Sequence, residues 1–184
     1  MKFVLIRHCE TASNQEHRYQ GLIDTTLNKR GKLQAVALAE ELSVSHPGVS
    51  LVLSSDLKRA LQTAEIVAGR FGAPLVLDRR LRECNHGAFD GLTRTEVIKK
   101  YGAEVFKNVF TPEYARYDFG PYGGENRESV IHRHLGLLNE LIQDYPKEKI
   151  LLVGHGRGLN TLLAELGYET GLQREEFRVI DYPR

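Results

Sequence analysis

The chain has 184 residues, 25 basic and 24 acidic, giving a formal net charge of +1, with 41% hydrophobic and 27% charged residues. Length and composition suit one globular domain with a sizeable core and give no sign of disorder or fibrous structure. The near-neutral balance supplies no strongly positive field for nucleic acid, and no segment approaches the roughly 20 apolar residues of a membrane span. The opening MKFVLIRHCE has too short an apolar run for a signal peptide, so neither a membrane nor a nucleic-acid partner is expected and the cytoplasm is the expected location. Cys9 and Cys84, the only cysteines, are too few for a disulfide framework or a four-cysteine zinc site. One bridge is arithmetically possible, but a reducing compartment fits best.

In chain order, Phe3 to Ile6 is a continuous apolar run, the pattern of a fully covered central strand from whose end Arg7 and His8 emerge. Ala35, Leu38, Ala39 and Leu42 fall at i, i+3, i+4 and i+7, predicting a helix with one apolar stripe. A core strand is expected at Leu51 to Leu53, a helix through Leu57, Ala60, Leu61 and Ala64, and another core strand at Leu75 to Leu77. The stretch 82–126 is less regular, with aromatics and glycines in YARYDFGPYGGEN, and reads as a cap-like excursion over the sheet edge. Ile131, His134, Leu135, Leu138 and Ile142 predict a helix ending near Pro146. Ile150 to Val153 reads as a core strand, and Leu159, Leu162, Leu163 and Leu166 as a last helix stopped by Gly167. This alternation argues for an α/β fold of three layers: a mostly parallel sheet with helices on both faces, formed by 1–184 as one domain. Ligands usually bind such sheets beyond the carboxyl ends of the strands.

Arg7, His8, Ser54 and the segment from Gly154 to Arg157 all sit at such ends. A histidine after an arginine at one strand end, and a second histidine in GHGRG at another, are brought side by side by a parallel sheet. Arg59, in the first turn of its helix, can aim its guanidinium over the same edge. Two arginines and two histidines suit a phosphoryl group, because guanidinium forks match tetrahedral oxyanions. One imidazole attacks phosphorus while the other supports its equatorial oxygens. A proton donor for the leaving oxygen is still needed, and Glu83 in LRECNHG is the carboxyl best placed for it. Arginine charge replaces a metal, so neither metal nor cofactor is expected.

Six ordered motifs carry a resemblance: LIRHCETASN, RYQGLIDTTLNKRGKLQA, SSDLKRALQTAEIV, LRECNHGAFDG, GGEN and LLVGHGRG. Spanning nearly the whole chain, they resemble the histidine phosphatase superfamily, the phosphoglycerate-mutase-like proteins, and look more like its phosphatase branch. The resemblance implies hydrolysis of a small phosphorylated metabolite through a phosphohistidine on His8. Glu83 would be the general acid, then the base that activates water, with Arg7, Arg59 and His155 forming the phosphate pocket. Asn14, Gln20 and Gly156 match positions in or beside that pocket, and Thr11 and Gly21 match the loop that shapes it.

The chain departs from the family pattern at several positions. Cys9 stands where the family has glycine, which removes freedom at positive φ. It either packs under the loop or, like Cys84 beside the proposed acid, lies near the pocket, where an arginine-rich environment favours a reactive thiolate. Arg157 and Asn160 replace the residues of H-G-G-x-[IL]-R; Arg157 either binds a second acidic group on the substrate or pairs with a surface carboxylate. Asn126 replaces the serine of G-E-S, and Glu125 is expected to be a helix-start residue favoured by the macrodipole. His86 and His17 could touch substrate, whereas His132, His134 and His46, beside a Pro-Gly turn, read as packing or solvated residues. Two rival readings stay open. A mutase would need substrate-gripping basic residues, for which the excursion offers Arg94, Lys99, Lys100, Lys107 and Arg116; an inactive phosphate-binding protein is the other. Oligomeric state is not legible in the sequence.

Overall fold

The computed structural model describes residues 1–106, 114 and 116–183. Its five strands are β1 (Lys2–Arg7), β2 (Leu51–Ser54), β3 (Leu75–Leu77), β4 (Ile150–Gly154) and β5 (Phe177–Asp181). The helices are α1 (Ala12–Gln15), α2 (Lys29–Ser45), α3 (Lys58–Phe71), α4 (Arg94–Tyr101), α5 (Arg127–Asp144) and α6 (Gly156–Glu165). The strands lie in the order β3-β2-β4-β1-β5. Four run parallel, and β5 pairs antiparallel with β1.

Side chains on one strand alternate between the two faces of a sheet, and here each face is apolar. Val4, Ile6, Val52, Leu151 and Val153 pack against Ala35, Leu38 and Leu42 of α2 and Ala60, Ala64 and Val67 of α3. Phe3, Leu5, Leu51, Leu53, Ile150 and Leu152 pack on the opposite face, against Leu137, Leu138 and Leu141 of α5 and Leu159, Leu162 and Leu163 of α6. The expected three-layer α/β architecture follows from these two cores. The excursion after β3 carries its own small cluster of Cys84, Phe89, Val97, Tyr117 and Phe119, closed by Val130 of α5. Among the described residues, no helix is long and apolar enough to cross a membrane.

As expected, β1 is a fully covered interior strand, lying between β4 and β5. Other expectations about the elements need correction. At the opposite edge β3 is not a core strand: Val76 and Leu77 are 44% and 48% exposed. β5 was not anticipated, because FRVID mixes charges into a short run and pairs only at an edge. On α5 the buried set is Val130, His134, Leu137, Leu138 and Leu141, rotated from the predicted stripe, which leaves Ile131, Leu135 and Ile142 half-buried. A helix of this length offers several stripes, and its neighbours select among them. Glu125 does not start α5: Asn126 caps it, accepting a hydrogen bond from the Ser129 N–H at 2.9 Å.

Two buried polar residues join the helices to the rest. Asn160 is fully buried on α6, accepts from the N–H groups of Gly171 (2.6 Å) and Leu172 (2.8 Å), and donates to the Gly156 carbonyl (2.7 Å). It thereby holds the loop whose Leu172 carbonyl receives Arg7. His134, 2% exposed, donates through Nδ1 to the Val130 carbonyl at 2.8 Å, and burial is the main cause of its pKa falling from 6.5 to about 3.

Asn160→Ala leaves the buried Leu172 N–H unpaired and releases the part-buried Gly171 N–H, and is expected to destabilise the protein by about 1–3 kcal/mol, read as a lower urea midpoint at unchanged slope. His134 is neutral when folded and titrates near 6.5 when unfolded. Its contribution is therefore complete above pH 6.5 and is lost as pH falls toward 3. His134→Leu should flatten that acid loss by up to about 1.4 kcal/mol per pH unit; urea midpoints measured between pH 4 and 7, falling equally in both proteins, would refute this.

Candidate active site

The register of β1 and β4 pairs Arg7 with Gly154, so the residues that follow, His8 and His155, leave the sheet side by side. The His8 N–H continues the ladder to the Gly154 carbonyl at 3.0 Å. The two imidazole centroids stand 5.1 Å apart, their planes inclined by 57°. Nδ1 of His8 lies 2.7 Å from the Cys9 carbonyl. A carbonyl only accepts, so Nδ1 carries the proton and Nε2 holds the lone pair. Burial, then the charges of Arg59 and Arg7, push the His8 pKa well below 6.5, keeping the ring neutral. His155 is lowered in the same way, by burial and by Arg59, and its Nε2 lies 2.8 Å from the Ser55 hydroxyl. Its Nδ1 has no hydrogen-bond partner among the described residues.

Two guanidinium groups flank these rings. Arg7 donates to the Leu172 carbonyl at 3.2 Å and lies against Gly156, where a Cβ would come within 2.8 Å of its Cζ. Glycine at 156 is thus the condition for Arg7's close approach. Arg59, fully buried in the first turn of α3, donates to the Gly21 and Ile23 carbonyls, each at 2.7 Å. Burial lowers its pKa to about 10, partly offset by Glu83, Asp24 and Asp90, so it stays cationic at neutral pH. The turn it grips has Gly21 at φ +44°, where any Cβ would collide with the Asp90 carboxylate.

Glu83 closes the opposite side. Its carboxylate accepts from the N–H groups of Cys84 (2.8 Å), Gly158 (2.9 Å) and Arg157 (3.1 Å), the last two being at the start of α6. Burial alone would raise its pKa, but His86's charge and these three donors outweigh it and bring it to about 2. Asn14 and Thr11 form a capping box on α1, with Asn14 Oδ1 accepting from the Thr11 N–H and hydroxyl, both at 3.0 Å. The Gln20 carbonyl oxygen accepts from Thr11 and Thr25 hydroxyls.

A cavity of about 190 Å³ gathers eight of the expected residues: Arg7, His8, Asn14, Gln20, Gly21, Arg59, Glu83 and Gly156. His155 is fully buried and reaches that wall only through its neighbour His8. Arg18, Tyr19, His86, Tyr114 and Arg157 complete the lining. His17 is exposed and takes no part in it. Neither thiol is a reactive thiolate. Cys9 and Cys84 are both fully buried, and burial pushes Cys9 to about 11 and Cys84 higher still, so both stay protonated. Cys9 also needs no positive φ; among described non-glycine residues only His17, Tyr114 and Glu175 have one.

Sequence reasoning missed Arg133. From α5 it donates to the carbonyls of Arg80 (2.6 Å), Arg82 (2.7 Å) and Glu83 (3.1 Å), and pairs with Glu125 at 3.0 Å. Glu125 in turn accepts from the Asn85 N–H at 2.9 Å. The pair clamps the main chain on both sides of Glu83, which is the role of Glu125 in place of the expected helix start. Asp90 was also passed over; it accepts from the Leu22 N–H at 3.0 Å and lies 3.1 Å from His86 Nδ1, joining the excursion to the Gly21 turn.

The chain as a whole has known counterparts. The chain is 37% identical over 172 residues to a glucosyl-3-phosphoglycerate phosphatase of Mycolicibacterium vanbaalenii, covering 90% of this chain and 73% of that one. It is 35% identical over 155 residues to phosphoserine phosphatase 1 of Hydrogenobacter thermophilus, covering 84% and 71%. A solved structure of mycobacterial glucosyl-3-phosphoglycerate phosphatase complexed with VO3 matches with a TM-score of 0.83 at 30% identity, over 98% of this chain and 90% of that one. The family model for the histidine phosphatase superfamily (branch 1) matches residues 3–182, and the chain belongs to that family.

Proposed function

We propose that this phosphatase hydrolyses a small phosphomonoester through a phosphohistidine on His8. The observation that carries the reading is a neutral imidazole, its lone pair at Nε2, held 5.1 Å from a second imidazole beside two guanidinium groups, Arg59 fully buried and Arg7 half-buried. The Nε2 lone pair forms a bond to phosphorus as the bond to the ester oxygen breaks. Glu83 gives its proton to the departing alcohol. In the second step Glu83 takes a proton from water, whose oxygen attacks phosphorus and returns the lone pair to Nε2. Arg7 and Arg59 neutralise the phosphoryl oxygens throughout, and the Nδ1–H bond to Cys9 steadies the ring as it becomes cationic.

A carboxylate at about 2 has no proton to give at neutral pH. A phosphoryl dianion beside it disfavours its charge and raises that value, so the acid form is produced in the complex. The relatives named for glucosyl-3-phosphoglycerate and phosphoserine support a small phosphorylated metabolite as substrate. The mutase reading is disfavoured, because none of Arg94, Lys99, Lys100 and Arg116 lines the cavity; Lys107 lies outside the described residues. The inactive reading had only Cys9 in its favour, and Cys9 packs without strain.

His8→Ala should lower phosphate release by roughly a thousandfold or more and abolish acid-labile, base-stable labelling by a radioactive phosphomonoester. Turnover by the native enzyme with no labelled intermediate would sink the mechanism. Glu83→Gln should cost about 10²–10⁴ in rate, least for esters such as p-nitrophenyl phosphate whose leaving group departs without a proton. Arg133→Ala should lower kcat more than it raises KM, since it frees the loop bearing Glu83 while the phosphate pocket persists. Partial recovery in Arg133→Lys and an altered pH profile would distinguish this from a general loss of stability.

A further inference from the structure

The geometry points to a second oxyanion site in the same cavity, carried by Arg157, so that the preferred substrate bears an anionic group besides the phosphoryl group. This inference rests on the phosphatase reading and adds the substrate class to it. The four arginines of the cavity wall have different surroundings. Arg59, fully buried, and Arg7, half-buried, flank His8 and are bonded to main-chain carbonyls of the loops that shape the pocket. Arg18 is held by Glu16 (2.8 Å), Glu96 (2.9 Å) and the Gly91 carbonyl (2.9 Å).

Arg157 is seated otherwise. Its main-chain N–H bonds Glu83 at 3.1 Å, which anchors its backbone beside the proposed proton donor. Its guanidinium carbon lies 4.9 Å from the ring centre of Tyr117, 5.3 Å from Phe119 and 5.6 Å from Tyr114. Phe119 packs on His86 at 4.8 Å, and both His86 and Tyr114 line the cavity. The charged head is therefore set on the wall where the leaving group of a phosphomonoester bound at His8 would lie.

Aromatic faces attract a guanidinium and hold it in place, so little ordering cost is left for ligand binding. Its fork of N–H donors matches a carboxylate or a phosphate in bidentate fashion. Any residue but proline at 157 would supply the N–H that Glu83 accepts from. The charged side chain is separable from that bond, and substrate recognition is the role its place supports.

The test compares matched phosphomonoesters. 3-Phosphoglycerate and glycerol 3-phosphate differ by a carboxylate against a hydroxymethyl group; propane-1,3-diol bisphosphate and its monophosphate test a second phosphate. The native enzyme is expected to favour the anionic member of at least one pair by about tenfold to a hundredfold in kcat/KM, and the pair that responds identifies the oxyanion. In Arg157→Met the ratio should fall to near one, and in Arg157→Lys it should be intermediate. Equal rates within both pairs, or a preference that survives in Arg157→Met, would overturn the second site while leaving the phosphatase reading intact. Absence of hydrolysis and of labelled His8 with every ester would remove the phosphatase reading, and this inference with it.

Discussion

The parallel pairing of β1 with β4 is the constraint on which the site depends. Its register aligns Arg7 with Gly154, and the ladder extends one residue further through the His8 N–H. Strands about 4.8 Å apart deliver the two imidazoles at van der Waals separation without help from any loop. Both strands are covered on both faces, so a slip of one residue would turn every core side chain of β1 to the wrong face. The register that buries the core is thus the register that assembles the site.

That arrangement places an unusual amount of polarity out of water. His8, His155, Arg59 and Glu83 are each at most 8% exposed. Burial disfavours their charged forms, and the fold answers differently for each. The histidines respond by staying neutral, which suits a nucleophile. Arg59 keeps its charge because Glu83, Asp24 and Asp90 offset part of the effect of burial while two carbonyls accept from it, and Glu83 keeps its charge because His86 and three N–H groups favour its anion. Of the four arginines that line the cavity, Arg157 is the one set against the rings of Tyr114, Tyr117 and Phe119.

Much of this was legible in residues 3–9, 51–64 and 150–163, because strand, turn and helix start each have a local signature and the chemistry sits at those junctions. Glu83, which no periodicity would have singled out, was reached through the need for a proton donor beside the strand ends, and the six ordered motifs imply the same role for it. What escaped the sequence depends on contacts between distant segments. Arg133 lies 50 residues from the Glu83 carbonyl it holds, and nothing near it marks it as more than a surface helix residue. The edge strand β5 and the buried stripe of α5 were decided by neighbours in the sheet and across the helix pair. The two readings of Cys9 stayed open in the sequence because proximity to charged catalytic residues says nothing about burial; the structure buries both thiols.

The bonds of Glu83 explain how one carboxyl can serve both as a restraint and as an acid. In the ligand-free protein it accepts from the first N–H groups of α6, which favour its anion and fix the loop clamped by Arg133. In the proposed reaction a phosphoryl anion enters the same cavity and competes for the same positive field. Each unit of pKa by which that anion raises Glu83 represents about 1.4 kcal/mol of interaction between the two. Protonation removes the repulsion, so the ligand that needs a proton donor is also the agent that creates one. An acid pre-set near neutrality would leave the loop less firmly held whenever the cavity contained only solvent; with the carboxylate tied down at about 2, the acid form in the proposed reaction would be conditional on the substrate's charge.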